Sequence, residues 1–264
     1  LPVYDKPMIY YPLSTIMIAG IKDILIITEE SQKKLFEKLL GNGNQWGIKL
    51  TYATQKEPKG IADAFIVGEE FIGDDSVALI LGDNIFYGEN MHKLLESASK
   101  EKEGATVFAY QVSDPERYGV IEFNKDNQAI SIEEKPNKPK SNYVVTGLYF
   151  YDNNVIDYAK SLKPSDRGEI EITDINQKYL DNQKLYIETM SRGYAWLDAG
   201  THKSLLESGQ FIASLEERQG YKIACPEEIA FRNNWITKSD VMKMAKSMQK
   251  NSYGKYLLKI IENY

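Results

Sequence analysis

Two carboxylates stand where apolar runs end. Ala78-Leu-Ile-Leu81 stops at Gly82 and releases Asp83 and Asn84, and Ala195-Trp-Leu197 leads to Asp198, Gly200 and Thr201. In open α/β sheets, ligands sit just beyond the carboxyl ends of strands. Two carboxylates plus substrate phosphates are a usual way to hold Mg²⁺. The competing reading makes Asp83 and Asn84 turn formers or caps of a following helix, and makes Asp198 a turn residue before a helix capped by Thr201.

Other stretches could serve the same chemistry. Gln55-Lys-Glu-Pro-Lys-Gly60 joins a strand to a helix. A Gln55 amide can donate and accept at once against a nucleobase edge, and Gly60 permits close backbone approach. Pro115-Glu-Arg-Tyr-Gly119 enters a strand, and Gly119 lets a ligand lie against backbone. Ile132-Glu-Glu-Lys-Pro136 ends one with two carboxylates and an ammonium, suited to sugar hydroxyls and a phosphate. Strand alternation puts Glu133 and Lys135 on one face and Glu134 on the other. Only five basic residues are Arg, and Arg117, Arg167 and Arg192 lie within two residues of a glycine. A rigid guanidinium fork suits phosphate. His92 and His202 lack metal-ligand spacing, and no serine shows a nucleophile elbow.

The elements that must position these residues alternate at first. A helix over 8–19, apolar nearly all round, precedes a strand over 23–28. A helix capped by Ser31 runs to Leu40, with Leu35, Phe36, Leu39 and Leu40 on one face. A strand over 48–53, a helix over 61–71 and a strand over 77–81, buried on both faces, follow. Such alternation predicts a parallel sheet whose loops at Thr28, Gln55–Gly60 and Asp83 share one edge. After a helix near 90–100, strands over 105–112, 119–123, 129–133 and 143–151 predict an antiparallel or mixed extension, with a hairpin turn at Asn124–Gln128. Helices over 154–162 and 171–181 and strands over 185–190 and 194–198 lead to a helical tail from Thr201. One domain is expected, with a nucleotide-binding part (1–103), a sugar-binding part (104–200) and a helical C-terminal part (201–264).

Composition fits. The 264 residues carry a net charge of −6 and a pI near 5.2, which argues against a nucleic-acid or anionic-membrane surface. A single Cys225 excludes an internal disulfide framework and suits a reducing compartment. No apolar run approaches the roughly 20 residues of a membrane span, and the chain reads as cytoplasmic.

Taken in order, the motifs are specific. Leu1-Pro-Val-Tyr-Asp-Lys-Pro-Met8, Leu81-Gly-Asp-Asn84, Pro115–Gly119, Glu133-Glu-Lys-Pro136, Val145-Thr-Gly-Leu-Tyr149, Arg167–Thr173, Tyr194–Thr201 and Ala224–Ala230 resemble those of bacterial glucose-1-phosphate thymidylyltransferases over essentially the whole chain. The resemblance implies a Rossmann-like nucleotide-diphospho-sugar transferase fold, a mixed and mainly parallel sheet flanked by helices. It implies conversion of dTTP and α-D-glucose 1-phosphate to dTDP-glucose and pyrophosphate, supplying dTDP-L-rhamnose synthesis. By it, Asp83 and Asp198 are Mg²⁺ ligands, and Gln55 and Gly60 read the thymine edge. Gly119, Glu134 and Val145 contact the glucose, and Lys135 and Arg167 contact its phosphate. It further implies a homotetramer inhibited by a dTDP-sugar at a second site formed by Tyr87, Gly88, His92, Arg192, Glu228 and Arg232.

The chain departs from that family at its start. The family opens with a strand, a Gly-rich loop of the form G-G-x-G-T-R-L and a Lys before the Leu-Pro-Val stretch, and none of these is present. The chain is therefore expected to be an N-terminally truncated form with a gap in its sheet and impaired activity. Transfer from UTP or CTP, non-catalytic binding of a nucleotide sugar, and glycosyl transfer on a related fold are the competing functions.

Overall fold

A computed structural model describes residues 1–100 and 103–262. The chain opens with a small hairpin of β1 (Pro2–Val3) and β2 (Lys6–Pro7). Next come α1 (Tyr10–Ile18), β3 (Asp23–Thr28), α2 (Glu30–Leu40), β4 (Lys49–Thr54), α3 (Asp63–Val67), α4 (Glu69–Ile72), β5 (Val77–Ile80), β6 (Asn84–Gly88) and α5 (Met91–Lys100). The middle holds β7 (Ala105–Gln111), β8 (Gly119–Phe123), β9 (Ala129–Glu134), β10 (Tyr143–Tyr151), α6 (Val155–Ser161), α7 (Ile172–Asp181), β11 (Leu185–Met190) and β12 (Tyr194–Asp198). The tail is α8 (His202–Gln219), α9 (Pro226–Arg232), α10 (Lys238–Ser247) and α11 (Ser252–Glu262).

The sheet is mixed and flanked by helices, but most of its described pairings are antiparallel. Strand β10 is central, pairing antiparallel with β5, β7 and β8, while β8 pairs antiparallel with β9. Among the described strands only β11 with β7 and β3 with β4 run parallel. The reason is connection length: β8 and β9 meet through a tight turn at 124–128, which permits only antiparallel pairing, whereas parallel strands need a crossover.

The expected shared edge is split. Thr28 and Gln55 lie at one end of the β3–β4 pair, where the Gln55 N–H donates to Thr28 O at 3.0 Å. Among the described residues β5 pairs with β10 and not with β3, so its four residues stay half-buried rather than enclosed on both faces. Helix predictions shift in two places and hold in a third. Gly68 divides the expected 61–71 helix into α3 and α4. Glu29, not Ser31, stands at the cap of α2, and Leu35 and Leu39 face solvent while Leu40 is buried. Thr201 does cap α8, in a reciprocal pair with Ser204.

Helix α1 is buried along most of its length. Its Leu13 and Met17 share one core with Ile26 of β3, Leu50 of β4 and Leu257 and Ile261 of α11, so the tail seals the first αβ layer. A second core lies between β7, β10 and α7, around Val107, Tyr149, Ile175 and Tyr179. No described helix is long and apolar enough to cross a membrane.

Candidate active site

Asn84 organises the first cavity. It is not a helix cap: its N–H closes a turn on Leu81 O at 3.2 Å, and it then opens β6, opposite Asp198 of β12, and is 2% exposed. Its Oδ1 accepts from Gly147 N–H at 3.1 Å and from Trp196 Nε1 at 2.6 Å. Its Nδ2 donates to Asp83 Oδ1 at 2.9 Å. Two N–H donors on one atom identify that atom as the oxygen, so the amide orientation follows from chemistry. A Cβ at Gly147 would lie 2.5 Å from Asn84 Oδ1, which is why this position carries no side chain.

Asp83 Oδ2 and Asp198 Oδ1 each lie 3.1 Å from the point a Cβ on Gly200 would occupy, so they are no further apart than twice that distance. The Gly200 N–H donates to Asp198 Oδ1 at 3.1 Å. Burial pushes the Asp198 carboxyl above its ordinary pKa, against the Gly200 hydrogen bond, and the neighbouring Asp83 charge adds to the rise. Two hard oxygen donors with like charge side by side fit a divalent cation. No cluster of three or more His, Cys, Asp or Glu able to hold a metal occurs among the described residues. A cation held here would therefore take its remaining ligands from phosphate and water.

A cavity of about 260 Å³ gathers Asp83, Asp198, Gly119, Glu134, Lys135 and Val145 in one wall. The Thr173 hydroxyl donates to Glu134 Oε2 at 2.5 Å, and a Cβ at Gly119 would meet those two oxygens at 3.1 and 3.3 Å. Lys135 departs from strand alternation: its φ is +45° and its N–H donates to Tyr118 O at 3.0 Å. That turn brings Lys135 and Glu134 to the same cavity rather than to opposite faces, with Nζ 3.6 Å from Glu134 Oε1. A non-glycine residue in this region costs about 1–3 kcal/mol and persists only where its surroundings over-determine it.

Arg167 is not in the wall. Its Nε and Nη2 donate to both oxygens of Glu171, at 3.1 and 2.7 Å, with Glu134 and Glu169 at 3.6 and 3.7 Å. Nor do Gln55 and Gly60 line the cavity, although the adjacent Ile61 does. The close approach that Gly60 permits is to protein: its φ is +99° and a Cβ would lie 2.5 Å from Ile170 O. The Gln55 amide does not keep both functions either. Nε2 donates to Asp63 Oδ2 at 2.9 Å and to Gly60 O at 3.3 Å.

Sequence reasoning assigned no specific role to several wall residues, although it noted Arg117 as a guanidinium beside a glycine. Arg117, Tyr118, Thr173 and Trp196 all line the cavity, and Arg117 lies over the Tyr118 ring while bonding Asp114. Arg117 had a signal, its nearness to Gly119. Thr173 and Trp196 read as ordinary positions in a helix and a strand.

A second cavity, of about 630 Å³, opens at the other end of β6. Tyr87, Gly88, Glu228 and Arg232 line it, whereas His92 and Arg192 are exposed outside its wall. Arg232 pairs with Glu228 at 2.7 Å. Lys222, also in this wall, is bound to Asp5 and Glu216.

The nucleotidyl transferase family profile matches residues 1–214. The chain is 55% identical over 262 residues to the glucose-1-phosphate thymidylyltransferase of Neisseria meningitidis, covering 99% of this chain and 91% of that protein. It is 52% identical to the enzyme of the same name from Mycobacterium tuberculosis, with the same coverage. Among solved structures, a Bacillus anthracis protein described as a glucose-1-phosphate thymidylyltransferase, in complex with sucrose, superposes with a TM-score of 0.74 at 44% identity. That match covers 80% of this chain and 84% of the other. The chain belongs to the nucleotidyl transferase family and, within it, groups with the glucose-1-phosphate thymidylyltransferases.

Proposed function

We propose that the protein transfers a thymidylyl group from dTTP to α-D-glucose 1-phosphate, giving dTDP-glucose and pyrophosphate. The observation that carries the reading is the convergence of Asp83, Asp198, Glu134 and Lys135 on one cavity. The names of the relatives supply the substrates.

A phosphate oxygen of the sugar phosphate attacks the α-phosphorus of the nucleotide, and the bond to the pyrophosphate bridging oxygen breaks on the opposite side. The step gains and loses no proton, so the protein's work is alignment and charge neutralisation. Asp83 and Asp198 hold Mg²⁺, which when bound withdraws charge from phosphoryl oxygens. Lys135 steadies the attacking phosphate. Arg167 joins it only by exchanging its Glu171 partner for that phosphate. Glu134, with one oxygen taken by Thr173, offers the other to sugar hydroxyls above Gly119 and Val145. Gln55 and Gly60 face the thymine edge. The setting is the cytoplasm, where the product feeds dTDP-sugar synthesis such as that of dTDP-L-rhamnose. The assembly is a homotetramer, and a dTDP-sugar in the second cavity acts as inhibitor.

The test is pyrophosphate release by the full-length protein. Release should require both dTTP and glucose 1-phosphate and should stop when EDTA removes divalent cations. Release without the sugar phosphate would overturn the transferase reading. Faster turnover with UTP or CTP would reassign the base.

A further inference from the structure

Asp63 has no role in the reaction described above. It stands in the first turn of α3 and is 8% exposed, and its Oδ2 accepts from Gln55 Nε2 at 2.9 Å. The second acceptor on the same nitrogen is Gly60 O, at 3.3 Å. Facing two acceptors, this atom of Gln55 has to be the amide nitrogen, and both its hydrogens are spent. Oε1 is then the side chain's remaining hydrogen-bonding function, on a half-buried residue.

The partners of Gln55 are themselves fixed. Ile170 N–H donates to Lys59 O at 2.7 Å and Ala62 N–H to Ile170 O at 3.3 Å, stitching the backbone on either side of Gly60 to Ile170. Among the described residues no acceptor is seen for the Gly60 N–H. The loop therefore offers an acceptor from Gln55 and a donor from Gly60. An imide base such as thymine or uracil presents the complement, with N3–H as donor and O4 as acceptor. Cytosine presents the reverse, an acceptor at N3 and an amino donor at C4.

We propose that Asp63 is a specificity-determining positioning residue, which locks the Gln55 amide with Oε1 outward so that the loop accepts an imide pyrimidine and rejects cytosine. The proposal rests on the reading of Gln55 and Gly60 as the base contacts. In Asp63→Asn the new Nδ2 can donate to Gln55 Oε1, so the amide can turn over, giving up its bond to Gly60 O, and present Nε2, which suits cytosine N3.

The experiment is equilibrium binding of dTDP and dCDP to the full-length protein and to its Asp63→Asn and Gln55→Ala variants. The expected preference for dTDP over dCDP falls about tenfold or more in both, the size of one hydrogen bond replaced by an unpaired acceptor. In Asp63→Asn part of the change is a gain in dCDP affinity, which mere loosening of the loop would not produce. A preference lost in Gln55→Ala but unchanged in folded Asp63→Asn overturns the role of Asp63 and leaves Gln55 as the base contact. A preference unchanged in Gln55→Ala removes the base-contact reading itself. If Asp63→Asn does not fold, N3-methyl-dTDP tested on the unaltered protein decides. Loss of about tenfold in affinity supports an outward acceptor, and equal binding overturns it.

Discussion

One pair of strands serves two cavities that differ in how their carboxylates are placed. At one end of the β6–β12 pair Asn84 faces Asp198, and at the other Gly88 faces Tyr194. The Asn84 end places two carboxylates side by side and raises one of them by burial and repulsion. At the Gly88 end, the basic residues are held by carboxylates: Arg232 by Glu228, and Lys222 by Asp5 and Glu216. Unmatched charge is what a site needs if a cation and phosphates are to complete it. Matched charge suits a pocket whose occupant arrives without disturbing the frame.

The largest effect should come from the unmatched end. Asp83→Asn or Asp198→Asn should lower pyrophosphate release by on the order of a hundredfold or more. Thermal unfolding should change little, because relieving two like charges removes no packing. Retained turnover in either variant would take that residue out of the cation site.

Asn84→Ala tests the frame beneath. It strands the Trp196 and Gly147 N–H groups and frees Asp83. A loss of about 2–4 kcal/mol in denaturant-derived stability is expected, together with lower turnover. Wild-type stability would mean that the hub holds nothing. At the other end, Gly88→Ala would set a methyl 2.2 Å from the Tyr194 ring. Overpacking there should cost about 1–3 kcal/mol in the same measurement.

The smallest effect belongs to the matched pair. Arg232→Ala breaks an ion pair in which Arg232 is about half exposed, and should change stability by less than about 1 kcal/mol. Inhibition by dTDP-glucose should nevertheless weaken. Unchanged inhibition would separate the second cavity from regulation.

Much of the cavity wall was legible in the sequence, in part from residue type and position and, for Val145, from the resemblance alone. Asp83, Asp198, Gly119, Glu134, Lys135 and Val145 were each singled out, and one cavity gathers them. What local rules misjudged was direction. Lys135 was placed by alternation, but a positive φ ends the strand and turns it toward Glu134. Asn84 was weighed as a loop residue, yet β12 recruits it into a strand from another part of the chain. Arg167 carries the right chemistry, but Glu171 four residues on holds its fork away from the wall. Leu35 and Leu39 fit a helical stripe that the core does not use.

By itself the sequence determined most of the strands and helices, though not β6 or the opening hairpin, and which polar residues stand at their ends. Those properties follow from apolar periodicity and from Gly, Pro and Thr at the boundaries. Only the tertiary structure decided that β5 would attach to β10, that Asn84 would bind Asp83, Gly147 and Trp196 together, and that Asp63 would take both Gln55 and a place in the fold. The β5–β10 pairing and the Asn84 bonds to Gly147 and Trp196 are long-range, and the Asp83 and Asp63 bonds are local and partly buried. Such choices are made by satisfying buried donors and acceptors across the whole molecule, which no local pattern encodes.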